Sequence, residues 1–98
     1  MKIHTQSVHF DADAKLIEFI EQKVGKLERF FDHIIMADVI LRLENNGQIK
    51  DKIAEIKIKV PGTVLIAKET EKSFEAAVDS STEALRRQLI KHKERMRA

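Results

Sequence analysis

Two stretches of two-residue alternation constrain this chain more than any other feature. Ala37, Val39, Leu41 and Leu43 alternate with Asp38, Arg42 and Glu44, and Ala54, Ile56, Ile58 and Val60 alternate with Glu55, Lys57 and Lys59. A period of two sends successive side chains to opposite faces, so both stretches read as half-buried strands whose apolar sets face one core. Between them, Asn45-Asn46-Gly47 supplies residues that tolerate positive φ, and the chain is expected to reverse there. Pro61-Gly62 ends the second stretch with Pro and Gly at the two central positions of a type II turn, returning the chain into a further strand over Thr63 to Lys68. The middle of the chain is thus a three-stranded meander.

Helical spacing brackets that meander. Leu16, Ile20, Val24, Leu27 and Phe31 recur at steps of four and three, the buried stripe of a helix that opens near residue 12 behind Asp11 and Asp13 and ends near Phe31. Gly25 lies within it at a cost of about 1 kcal/mol relative to Ala, and is expected to permit close packing. A longer helix is predicted from Glu71 to about Met96, with Phe74, Ala77, Val78, Ser81, Leu85, Gln88, Leu89, His92 and Met96 as its stripe. Glu71, Glu75, Asp79 and Glu83 make an i, i+4 acidic ridge in its first half and cations follow in the second, the order that the helix dipole favours. Residues 2 to 9 favour β structure and supply a first strand. The order β-α-β-β-β-α predicts an α+β fold. Its first crossover would set strand one parallel to strand two, in a four-stranded mixed sheet with both helices on one face.

Ninety-eight residues without a repeat or linker read as one domain, 1–98, with one modest core. Hydrophobic residues at 43% are enough to fold it, and charged residues at 35%, against a usual ~25%, mean a strongly charged surface. Cysteine is absent, which excludes a disulfide framework, a thiolate zinc site and a cysteine nucleophile, and points to a reducing, intracellular setting. No apolar run approaches the ~20 residues of a membrane span, and Met1 to Thr5 lacks the apolar stretch of a signal peptide. The expectation is a cytoplasmic protein with no membrane partner.

The net charge of +2 conceals an uneven distribution. From residue 86 to the end, six cations face one acid, a net +5, whereas twelve cations and fifteen acids over residues 1–85 give −3. A short basic C-terminal end of this kind points to a polyanion such as nucleic acid, although cations there also complement the helix dipole. On the first helix Lys15, Lys23, Lys26 and Arg29 are read as gathering roughly opposite the apolar stripe, with Glu18, Glu21 and Glu28 in a separate sector. Lysines on a solvated face also serve solubility alone. Together with Arg86, Arg87, Lys91 and Lys93 on the second helix, however, they could build a two-helix positive surface suited to phosphates. Other chemistry is poorly supplied. His4 and His9 would point to opposite strand faces, His33 and His92 lack a spaced carboxylate or cysteine partner, and no metal site is expected. Ser80-Ser81-Thr82 has no activating base nearby in sequence, and no glycine-rich phosphate loop follows a strand, so no catalytic residue, cofactor or small-molecule substrate is assigned. Tyr and Trp are absent and several of the five Phe belong to core stripes, which leaves few stacking platforms and favours recognition of backbone and shape. For Phe30 a flank contact under the sheet is the favoured reading; because Phe31 already serves the stripe, a stacking role is its alternative.

Two segments carry a family resemblance. Lys23-Val24-Gly25-Lys26-Leu27-Glu28-Arg29-Phe30-Phe31-Asp32-His33-Ile34 and Leu85-Arg86-Arg87-Gln88-Leu89-Ile90-Lys91-His92-Lys93 resemble the signature segments of the ribosome hibernation promoting factor and ribosome-associated inhibitor family. Pro61-Gly62 and Phe74-Glu75-Ala76-Ala77-Val78-Asp79 stand in the family's order, within a fold that resembles double-stranded RNA-binding domains. The resemblance implies a non-enzymatic protein that docks on the small ribosomal subunit, against ribosomal RNA in the mRNA and tRNA channel. There it would inhibit translation and promote ribosome hibernation in stationary phase or stress, with a second hibernation factor as a further partner.

By position, the resemblance assigns RNA contacts to Lys23, Lys26, Arg87, Lys91 and Lys93, while Arg29 and Arg86 join them on charge alone. Phe74 stands where many relatives place Tyr, and the chain resembles the short form, which lacks the extra domain that pairs ribosomes. Two other readings stand beside this one: a general double-stranded RNA-binding protein, and a small homo-oligomeric module whose helices bind protein.

Overall fold

The computed structural model describes residues 1–46 and 49–97. Its elements are strand β1 (Lys2–Val8), helix α1 (Ala14–Gly25) continued by a 3₁₀ turn (Lys26–Arg29), strands β2 (Met36–Asn46), β3 (Ile49–Val60) and β4 (Thr63–Glu71), and helix α2 (Phe74–Arg97). The strands lie in the order β1-β2-β3-β4, with β1 parallel to β2 and the other pairs antiparallel. This is the expected β-α-β-β-β-α mixed sheet.

The alternation decides the register. Ala37, Val39 and Leu41 pair with Ile58, Ile56 and Ala54, so one face of the β2–β3 ladder is continuously apolar and fully buried. Ile20, Val24, Leu27 and Phe31 from the first helical segment, and Phe74, Ala77, Val78, Leu85 and Leu89 from α2, close over it in a single core. Burying a Leu or Ile side chain contributes about 1.5–3 kcal/mol, so this one face supplies most of the drive to fold. Lys57 and Lys59 project from the other face.

Each helix starts at a side-chain cap. Asp13 holds extended backbone (φ −78, ψ 169) and its Oδ1 accepts from the Leu16 amide at 2.8 Å. Ser73 Oγ accepts from the Ala76 amide at 3.0 Å. Such caps contribute about 1 kcal/mol each. The second helix therefore starts at Phe74 and not at Glu71, which is the last residue of β4 and pairs with Lys52. Glu71 leaves the helical ridge but accepts from Ser80 Oγ at 3.3 Å.

Four further expectations are corrected. The first helix does not run as α-helix to Phe31: it tightens after Gly25, and the Phe30 amide reaches the Leu27 carbonyl at 3.0 Å. That three-residue spacing still carries Leu27 and Phe31 into the core. Gly25 is not a close-packing position, since its backbone is right-handed (φ −59, ψ −31) and a Cβ there would meet nothing within 4 Å. Met96 is 57% exposed, because the last residue of α2 to be buried is Leu89 and the end of the helix outruns the core. Asn45 and Asn46 belong to β2, with Asn46 opposite Ile49, while Gly47 of the expected turn lies outside the described residues. At the other reversal Gly62 has φ 87, the left-handed conformation that a type II turn requires.

Candidate nucleic-acid interface

Helices α1 and α2 follow β1 and β4, which point the same way, and each returns along the sheet, so the two run side by side in one direction. Their N-terminal ends meet where Phe10 stacks on Phe74 at 4.4 Å, and Lys15 lines the cleft there, away from the other cations of its helix. Farther along, a groove opens between the helices, lined by Lys23, Lys26, Leu27 and Phe30 on one side and Asp79, Thr82, Glu83 and Arg86 on the other.

Lys23 is half-buried and its Nζ lies 2.9 Å from Asp79 Oδ1, joining the two helices. It is thus on the flank of the apolar stripe and not opposite it: at 100° per residue its bearing departs from the stripe's centre by only about 60°. Lys26 and Arg29 are exposed, and Lys26 borders the groove. On α2, Arg86 donates from Nε to both Glu83 oxygens at 3.2 Å, and Arg87 Nη1 lies 3.6 Å from Glu83 Oε1. The hydrogen bond to Arg86 and its charge hold the Glu83 carboxyl below its ordinary pKa, and the same bond raises that of Arg86.

Helical geometry sorts the remaining cations. Lys93 and Arg97 fall within about 20° of the bearing of Arg86, while Arg87 is turned about 100° and Lys91 about 140° from it. Lys23, Lys26, Arg86 and Lys93 therefore mark the flank that faces the other helix, Arg87 the outer face, and Lys91 the side towards β4. Gln88, on that side, donates from Nε2 to the Ile66 carbonyl at 3.0 Å.

In the sequence Asp79 and Glu83 stand only as acids suited to a helix N-terminal half. In the fold they are the counter-ions of the groove. The Glu83 pairs were visible in the i+3 and i+4 spacing to Arg86 and Arg87; the Lys23 pair depends on the axial offset of two helices and had no local signal. The histidines stay apart from this site. Phe31 meets both His33 and His92 edge-on, at 5.5 and 5.3 Å, and His33 lies 3.4 Å from Asp32. Among the described residues no three His, Asp or Glu side chains are grouped to hold a metal ion.

Fold and site together define a class: small α+β domains that present a groove lined by three cations, two acids and an aromatic residue, between two like-directed helices over a mixed sheet. Within that class the chain belongs to the sigma 54 modulation protein / S30EA ribosomal protein family, whose match spans residues 3–97. A ribosome hibernation promoting factor of Azotobacter vinelandii is 35% identical over 95 residues, 97% of this chain and 85% of that protein. The ribosome hibernation promotion factor of Bacillus subtilis is 32% identical over 95% of this chain and 49% of its own length. Among solved structures, the N-terminal domain of Protein Y from Thermus thermophilus superposes with a TM-score of 0.83 at 26% identity, over 94% of this chain and 99% of that domain.

Proposed function

We propose that this protein binds the small ribosomal subunit through its two-helix face, against ribosomal RNA in the channel shared by mRNA and tRNA. By occupying that channel it inhibits translation and promotes ribosome hibernation in stationary phase or stress. One observation carries the reading: Lys23 and Lys26 from the first helical segment and Arg86 from α2 border a single groove, and helical bearing sets Lys93 on the same flank of α2. The names of the relatives, ribosome hibernation factors that match nearly the whole chain, favour the ribosome over other polyanions. Arg29, Arg87 and Lys91 serve as flanking phosphate contacts, and the whole chain acts as one ribosome-binding domain in the cytoplasm.

Occupancy alone accounts for such inhibition, with no bond made or broken. Cell-free translation should therefore fall in proportion to the ratio of protein to ribosomes and stop near equivalence, without added nucleotide or metal. Inhibition by far fewer protein molecules than ribosomes would indicate catalytic damage and refute the occupancy mechanism.

A further inference from the structure

We propose that the groove between α1 and α2 receives one unstacked nucleobase of the ribosomal RNA on the ring of Phe30, with the guanidinium of Arg86 as the outer layer of the stack. This deepens the reading above and rests on it. Of the five Phe residues, Phe10 and Phe74 cover one another, Phe31 is buried in the core, and Phe19 packs against the core outside the groove, in the cleft at the N-terminal ends of the helices, with Lys23 over its ring. Phe30 is only half-buried and lines the groove beside Lys26 and Arg86.

Arg86 Cζ stands 5.7 Å from the Phe30 ring centroid. Stacked carbon layers approach to about 3.5–4.0 Å, so a base between ring and guanidinium needs about 7–8 Å, and Arg86 has to withdraw by only ~1–2 Å. Its side chain is 36% exposed and its partner Glu83 lies one turn away on the same helix, so the pair can shift together. The groove holds about 140 Å³, close to the volume of a cavity that accommodates a benzene ring.

Charge selects a nucleotide over an apolar protein side chain as the occupant. Both acids in the groove already hold cations, Asp79 with Lys23 and Glu83 with Arg86 and Arg87. Lys26 has no acidic partner among the described residues and borders the ring, where the phosphate of a stacked nucleotide would meet it. Every base has a π face, so such a stack tolerates sequence.

The absence of Trp and Tyr from the chain makes the test direct. Phe30→Leu keeps apolar bulk and removes the π face; Phe30→Trp keeps the face and introduces the chain's sole indole. Co-sedimentation with purified bacterial small ribosomal subunits should show Phe30→Leu about five- to hundredfold weaker than the unaltered protein. Phe30→Trp should bind within about twofold, with its emission quenched on binding. Thermal unfolding shows whether Phe30→Leu stays folded, and the Trp variant reads the stack independently of that result. Unchanged affinity of a folded Phe30→Leu, or indole emission indifferent to a bound subunit, overturns the stack while leaving ribosome binding intact. Failure of the unaltered protein to co-sediment overturns the ribosome reading and the stack with it.

Discussion

Replacing Asp79 by Asn removes the carboxylate that holds Lys23 across the helix pair, and the geometry of that pair sets the size of the effect. Lys23 Nζ lies 2.9 Å from Asp79 Oδ1. A phosphate oxygen accepting from the same ammonium at about 2.8 Å would lie at most about 6 Å from the carboxylate. At that distance two like charges repel by about 0.7 kcal/mol in bulk water and about 3 kcal/mol at the effective dielectric near a protein surface. Screening at physiological salt roughly halves both figures. Asp79→Asn should therefore tighten binding to small ribosomal subunits by about two- to tenfold. Because the pair is substantially exposed, at 37% and 63%, its loss should lower folding stability by less than about 1 kcal/mol. Titration by co-sedimentation at fixed salt reads the first effect and urea denaturation the second. Glu44→Gln, on the exposed sheet face, controls for net charge. Weaker binding by Asp79→Asn would mean that the carboxylate orients Lys23 for RNA, and equal gains for the two variants would mean that only bulk charge matters.

Two further predictions address the scaffold. Gly25→Ala should stabilise the protein by about 0.4–1 kcal/mol, since the backbone is already right-handed and the added methyl meets open space; thermal unfolding should shift upward by several degrees, and a downward shift would refute the assignment. The Glu83 carboxyl has a folded pKa below its ordinary 4.5, so the stability it contributes is present above that value and is lost as pH falls through the folded pKa. The midpoint advantage of the unaltered protein over Glu83→Gln should accordingly be level near neutrality and shrink in acid; an advantage that grows in acid would contradict the pairing with Arg86.

How much of this was legible depended on whether a feature is local. Alternation and stripe fix which faces are apolar, and from Ala37 to Leu41 and Ile20 to Leu27 nothing competes with that signal. Boundaries depend on competition between neighbours. Glu71 suits a helix start by charge, yet pairing with Lys52 and the cap at Ser73 assign it to β4. Met96 has stripe spacing, but the stripe says nothing about where the sheet beneath it ends. In the site, the cations were visible as residue types. What could not be read was which of them share a groove: Lys23 meets Asp79 through helix packing, and Lys91 is set apart from Lys93 by its bearing.

The central claim is that the groove between the helices is the RNA-binding surface, and salt-dependent co-sedimentation tests it most directly. Lys26→Glu with Lys93→Glu reverses two exposed cations on the groove flank that have no acidic partner among the described residues, and Lys57→Glu with Lys59→Glu makes the same change of charge on the opposite sheet face. The groove variant should bind small ribosomal subunits more weakly, with a log–log salt slope flatter by roughly 1.4–1.8 if two phosphate contacts are lost, while the sheet variant keeps the slope of the unaltered protein. Equal losses of affinity and slope in the two variants would contradict the claim.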